Sequence, residues 1–318
     1  QRVRRQSTME CQRFVLLCFT LFTLFHPGQA GYEGTLRFDS NGQLKVLQVT
    51  DTHYGEPYPS QDKRSTPMVE NLIDWEKPDI VACTGDMITG YNYEPKVPQW
   101  FEKQWIKWTE PFNKKKQPYF YLLGNHDPQA NYTPEEIMKL DMTNDFSMSQ
   151  LGPSDVFGAS NYVLPVYDPT GKEVVYYFWV FDSGYQKCIE SIDGYDCIKE
   201  SQIQWYRKKS QELLQEDGKQ VPGVAFFHIP SPEFMNAANQ SEVKGYKTDD
   251  NSCWSVNSGF FYAAKDVGNI EAFISGHDHG NDYTINYHGI QMIYGRKTGY
   301  GGYSPPAWMK KGGRVFEF

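Results

Sequence analysis

No stretch of this 318-residue chain approaches the roughly eighteen consecutive apolar residues of a membrane-spanning helix. Positive charge is scarce too: 31 Lys and Arg stand against 39 Asp and Glu, a formal net charge of −8. Such a chain has no global basic field, so nucleic acid is not an expected partner. Cysteine is sparse, six in all, and no pair has metal-finger spacing. Internal repeats, low-complexity tracts and Gly/Ser/Pro-rich linkers are lacking, which argues against an array, a fibre or a disordered chain. What remains is 39% hydrophobic and 16% aromatic, ample for a buried core.

Arg2, Arg4, Arg5 and Arg13 surround or precede an apolar run, Phe14 to Phe25, that is followed by the small residues Gly28 and Ala30. A positive start, a short apolar centre and a small-residue exit predict a secretory signal peptide over residues 1–30. A twelve-residue helix rises about 18 Å, short of the roughly 30 Å of a bilayer core, which disfavours a retained anchor. Position 1 is Gln and position 9 is Met, so residues 1–8 read as lying upstream of the true start. Loss of residues 1–30 would leave a net charge of −11. The expected address is secreted or the secretory-pathway lumen, whether extracellular, vacuolar or lysosomal. Cys188 and Cys197 bracket an Asp193-Gly194 turn and are candidates for a local bridge, while Cys83, inside an apolar run, reads as a buried free thiol. Asn131-Tyr132-Thr133 and Asn239-Gln240-Ser241 have the form of N-glycosylation acceptors.

Apolar, β-rich runs occupy 44–49, 79–84, 118–123, 174–181, 223–227, 270–275 and 290–295. Helical patterns lie between them at 65–76, 98–113, 134–141, 200–216 and 256–267. The fourth helix places Ile203, Tyr206, Leu213 and Leu214 near one face. Strands alternating with helices predict an α/β fold, as one domain over 31–318, with the strand-rich 155–185 region as a candidate second sheet.

Five of the apolar runs end in residues able to hold metal ions: Asp51-Thr52-His53, Gly85-Asp86, Gly124-Asn125-His126-Asp127, His228, and Gly276-His277-Asp278-His279. Of seven histidines, His26 lies in the leader, five fall in these motifs, and only His288 is left over. A lone strand-end histidine is commonly structural. Five of them beside Asp and Asn are hard to explain that way. Ligand loops of α/β sheets gather at strand carboxyl ends, so the five segments can converge. Residues i and i+2 share a face, which pairs Asp51 with His53 and His277 with His279, and turns Asp278 away. Asp86, with two oxygens, can bridge a pair of cations about 3.5–4 Å apart. Mixed imidazole, carboxylate and amide ligands favour Zn, Mn or Fe over Ca or Mg.

In this order the blocks resemble the calcineurin-like metallophosphoesterase superfamily, and are most similar to the branch holding the plant "probable inactive purple acid phosphatases" and related fungal cell-cycle regulator phosphatases. The resemblance runs through LKVLQVTDTHYG, EKPDIVACTGD, YLLGNHD, FFHIPSPEF, VNSGFF and GHDHGNDY. It implies a central two-sheet β-sandwich flanked by helices, with the metal site at strand C-terminal ends. By the same resemblance Asp51, His53, Asp86 and His279 would hold one ion, and Asp86, Asn125, His228 and His277 the other. His126 would be an unligated residue serving the leaving oxygen, steadied by Asp127. Where purple acid phosphatases carry a ferric-iron tyrosine, this chain has Thr89, so a ferric tyrosinate is not expected and His53 would complete the first site.

These expectations describe a secreted dinuclear phosphatase hydrolysing phosphomonoesters by a metal-bridging hydroxide. Two alternatives stand beside it: a phosphodiesterase on nucleotide or lipid head-group esters, and a metal- or phosphate-binding protein without turnover. Three features receive plainer readings. Lys114-Lys115-Lys116 is a solvated helix end, Arg296-Lys297 is surface charge, and Gly299 to Tyr303 is a loop without phosphate-cradle spacing.

Overall fold

The computed structural model describes residue 32 and residues 34–318. The leader expected over 1–30 lies outside the described residues. Along the chain the strands are β1 (Lys45–Val49), β2 (Ile80–Thr84), β3 (Tyr119–Leu122), β4 (Tyr162–Tyr167), β5 (Val174–Val180), β6 (Gly223–Phe226), β7 (Lys244–Lys247), β8 (Ile270–Ser275), β9 (Asn281–Tyr287), β10 (Ile290–Tyr294) and β11 (Arg314–Glu317). The helices are α1 (Pro59–Glu76), α2 (Trp100–Lys115), α3 (Pro134–Asp141), α4 (Glu200–Asp217), α5 (Pro232–Gln240) and α6 (Phe260–Val267).

The strands form two sheets, one ordered β11-β1-β2-β3 and one ordered β4-β5-β6-β8-β10-β9-β7. β1, β2 and β3 run parallel, as do β5, β6, β8 and β10. Central parallel strands are covered on both faces and therefore read as unbroken apolar runs. β5 demonstrates the division of labour: Tyr176, Phe178 and Val180 pack between the sheets, while Tyr177 and Trp179 face outward to the core built with α4 and α6. On the other side Phe101, Trp105, Trp108 and Phe112 recur at helical spacing along α2; the last three bury against Tyr119 and Tyr121 of β3, and Phe101 stacks on Trp105 and Tyr132.

Several expectations need correction. The second sheet is not a local unit over 155–185: β4 and β5 join the seven-stranded sheet, and the smaller sheet closes instead with β11 from the chain's last residues. α1 begins at Pro59 rather than 65, because Pro fits the first helical turn, where its missing N–H is not needed. α5 escaped the pattern because it is short, although its Ser231-Pro232-Glu233 opening is a helix-start signature. Leu214 is exposed rather than packed with its neighbours on α4. His288 and Gly289 form the two-residue turn between β9 and β10, both with positive φ, which gives that histidine a purely conformational place.

Candidate metal centre

The carboxyl ends of β1, β2, β3, β6 and β8 open on one side of the sandwich, and the five motifs follow them directly. The loops after β1 and β2 continue to pair through main-chain bonds, Asp51 N–H to Gly85 O at 3.1 Å and His53 N–H to Asp86 O at 3.0 Å. Asp51, His53, Asp86 and His277 all sit in the left-handed region, with φ of 54°, 52°, 56° and 79°. Four non-glycine residues held there in one place store strain that the fold must outweigh, a pattern concentrated at functional sites.

Two groups of donor atoms result. Asp51, His53 and His279 offer atoms within 4.8 Å of one another, and Asp86, His228 and His277 do the same. Asp86 links them: its Oδ2 lies 3.0 Å from His228 Nε2 and 3.8 Å from His53 Nε2. Its Oδ1 is occupied by the His126 N–H at 2.8 Å. Asn125, 2% exposed, leaves its Oδ1 without a partner among the described residues.

Three imidazoles have their proton placed by a neighbour. His228 Nδ1–H donates to the Thr84 carbonyl at 2.8 Å, and His279 Nδ1–H to the Tyr303 carbonyl at 2.6 Å. Thr89 gives its hydroxyl hydrogen to Glu56, so its oxygen accepts from His53 Nδ1–H at 3.3 Å. In the neutral rings of His53 and His279 Nε2 then keeps its lone pair, the arrangement that second-partner hydrogen bonds impose on metal-binding histidines, and His228 Nε2 would do so once it gives up the proton that the Asp86 carboxylate favours. His53 and His279 direct these lone pairs at each other across 3.2 Å. Asp51 Oδ1 and both ring nitrogens of His277 are likewise buried without a hydrogen bond among the described residues. Crowded acceptors of this kind fit cations, and the Lys297 ammonium already stands 3.5 Å from His279 Nε2; the mixed N/O donor set suits Zn, Mn or Fe.

Protonation tendencies agree. Burial holds the His53 imidazole well below its ordinary range, and likewise brings His277 to about 3 and His279 to about 4, leaving all three neutral at pH 7. Burial would also raise Asp51 and Asp86, but the neighbouring imidazoles outweigh it and keep both ionised. His228 is the exception: burial lowers it, yet the Asp86 carboxylate prevails and lifts it to about 10.

The structure thus brings together six of the seven residues expected to be ligands, and places Asn125, the seventh, beside His126 with its buried Oδ1 unpartnered among the described residues. It treats the two expected catalytic residues differently. His126 lines the same cavity of about 310 Å³, packed edge-on to Tyr91. Asp127 does not touch its ring. The Asp127 carboxylate accepts instead from the main-chain N–H groups of Asp86, Ile88 and Gly124, at 3.0, 2.8 and 2.8 Å, and pins two ligand loops together.

Sequence reasoning also missed residues. Lys297 is not surface charge: it is 1% exposed, and its Nζ donates to the Asp51 carbonyl at 2.9 Å. Arg296 pairs with Asp282, away from the cavity. Tyr303 stacks flat on His279 at 3.8 Å, and its hydroxyl accepts the His279 N–H. The detectable signal was the glycine density of KTGYGGY, because closely spaced glycines after a strand mark a close backbone approach. Lys114 and Lys115 pair with Glu70 and Asp74 at the surface; Asp278 lines the cavity, but its carboxylate accepts from the Tyr294 hydroxyl and the Ser252 N–H.

Residues 44–281 match the family model described as calcineurin-like phosphoesterase. The chain is 31% identical to "Probable inactive purple acid phosphatase 14" of Arabidopsis thaliana, over 98% of this chain and 84% of that protein. It is 28% identical to "Phosphatase DCR2" of Saccharomyces cerevisiae, over 79% of this chain and 46% of the yeast protein. Among solved structures, a dimetal phosphatase from Danio rerio superposes with a TM-score of 0.55 at 16% identity, covering 80% of this chain and 87% of that one, and shares the fold.

Proposed function

Because the chain belongs to the calcineurin-like phosphoesterase family, we propose that it is a two-metal phosphatase that hydrolyses phosphomonoesters in the secretory pathway. The observation that carries this reading is the facing pair of lone-pair nitrogens, His53 Nε2 and His279 Nε2, 3.2 Å apart beside two carboxylates. Asp51, His53, Asp86 and His279 would hold one ion, and Asp86, Asn125, His228 and His277 the second. When bound, such a pair supplies positive charge for the phosphoryl oxygens and lowers the pKa of water to about 7. The chain's own residues do the rest. Asp86, within reach of both ligand groups, would be shared between the two ions, Tyr195 walls the cavity against the His277 ring, and His126 would give a proton to the departing oxygen. General-acid help of that kind is worth about 10²–10⁴-fold.

The address rests on separate support. A Cys188–Cys197 disulfide fits an oxidising compartment, and the two acceptor asparagines, Asn131 and Asn239, are exposed.

A second reading has one observation in its favour: among the described residues the cavity lining contains no Lys or Arg, so a singly charged diester would leave less charge unneutralised than a monoester. Metal analysis of the purified protein, followed by paired assays on a nitrophenyl phosphate and its bis ester, tests both. Two metal equivalents with faster turnover of the monoester is the expected result. Preference for the bis ester transfers the assignment to the diesterase, and two bound ions with no hydrolysis of either would make the protein a binder.

A further inference from the structure

Among the described residues the His126 ring has no carboxylate partner. Its Nδ1 instead meets Gln129 Oε1 at 2.7 Å, from the short turn Asp127–Gln129 that follows the third motif. The same amide donates through Nε2 to the Tyr185 hydroxyl at 2.6 Å. Tyr185 lies between β5 and the Cys188–Cys197 loop, three residues before Cys188. An amide oxygen only accepts, so it holds a proton on Nδ1 and leaves Nε2 for the cavity, where the neutral ring carries a lone pair and the imidazolium carries the N–H that would pass to the leaving oxygen. Tyr91, edge-on at 4.9 Å, and His53, at 5.4 Å, confine the ring on its other sides.

We propose that Gln129 is the positioning residue for His126, and that Tyr185, on the segment leading into the disulfide loop, holds Gln129 in place. The inference rests on the reading of His126 as the group that serves the leaving oxygen. Its physical basis is rotational: an imidazole with one nitrogen anchored samples a single orientation, and catalytic proton transfer depends on heavy-atom distances of about 2.6–3.2 Å. Without the amide, both ring flips and both tautomers become available.

The test compares Gln129→Leu, Gln129→Glu, Tyr185→Phe and His126→Ala on phosphate esters of graded leaving-group acidity, from nitrophenyl to alkyl. Gln129→Leu should keep both metals and a nearly unchanged KM, yet lose about tenfold or more in kcat on the alkyl ester and much less on the nitrophenyl ester. Gln129→Glu, which keeps an acceptor, should recover the alkyl-ester rate. Tyr185→Phe should repeat the Leu pattern more weakly, and it removes one hydroxyl from a partly exposed residue should the Leu variant not fold. A purely structural role would instead lower both esters in proportion. Side-chain ¹⁵N spectra of the chelated protein give a readout without turnover: neutral His126 should carry its proton on Nδ1, with mixed tautomers in Gln129→Leu. Proportional loss on all esters, or a wild-type proton on Nε2, overturns the proposal. If His126→Ala depends on the leaving group and Gln129→Leu does not, the inference alone fails. If His126→Ala shows no such dependence, the assignment of His126 fails and takes this inference with it.

Discussion

Gly301 presses its Cα against the main chain of His53 so closely that a β-carbon on it would stand 2.0 Å from the His53 carbonyl oxygen. Gly299 does the same to Thr52 at 2.1 Å, and between them Lys297 and Thr298 bond the carbonyls of Asp51 and Thr50. The segment after β10 is therefore the back wall of the first ligand group. It holds Asp51 and His53 in their left-handed backbone conformations, which their side chains alone would not favour.

Gly301→Ala should accordingly displace the loop after β1. The expected cost is about 1–3 kcal/mol of stability, typical of forced overpacking, with metal content falling from two equivalents toward one. Gly312→Ala is the control, since its β-carbon would meet only the flexible Arg296 side chain at 3.1 Å. Chemical denaturation and elemental analysis read the two effects. Equal behaviour of the two variants would remove the back-wall role.

Asp127 gives a second contrast. Its three accepted main-chain bonds make it a clamp between the Gly85-Asp86 and Gly124-Asn125 loops. Asp127→Ala should cost about 3 kcal/mol or more, because it strands buried N–H groups that now bond a carboxylate, and it should lose metal. A variant that kept both ions and lost only turnover would return Asp127 to its expected place behind His126.

What was legible in the sequence follows from how each residue earns its position. β1, β2, β3, β6 and β8 read clearly because both faces are buried, and the ligands read clearly because each follows its strand within a few residues. β7 is exposed along its length and β9 is rich in Asn and Asp, so neither gives an apolar run, and β11 is a short strand whose place depends on pairing with β1 far upstream. The same holds at the site. Lys297, Tyr303, Gln129 and Tyr185 act through contacts made across the fold, and nothing local distinguishes a buried lysine from a surface one before the chain is folded.

The Cys188–Cys197 disulfide closes a loop of sequence separation 9, carrying Tyr195, whose ring meets His277 edge-on at 4.4 Å. Cross-linking so short a loop restricts the unfolded chain by about 2–3 kcal/mol. The double variant Cys188→Ser, Cys197→Ser should lose that much in urea unfolding, and dithiothreitol should reproduce the loss in wild type without affecting the variant. A wild type insensitive to reductant would show that the bridge contributes nothing.

Asp141 supplies a pH dependence that the metal centre does not enter. Its carboxyl is fully buried, with Oδ1 accepting from Tyr119 at 2.8 Å and Oδ2 from Ser147 at 2.6 Å. Burial raises it from 3.8 to about 6, and these hydroxyls only partly offset the rise. The sign follows directly. Between those values the folded protein binds a proton that the unfolded chain does not, so this group's contribution to stability grows as pH falls through 6, and it is a net cost above that pH. Asp141→Asn has no proton to gain. Between pH 7.5 and pH 5.0 the stability of wild type relative to the variant should therefore improve by about 1–1.5 kcal/mol, near one unit of titration at 1.36 kcal/mol each. Urea unfolding of both proteins in chelator isolates the effect, because metal release is then absent and every other titrating group is common to the pair. A relative stability that stays flat, or moves toward the variant as pH falls, would mean that the folded protein holds Asp141 with an ordinary or depressed pKa.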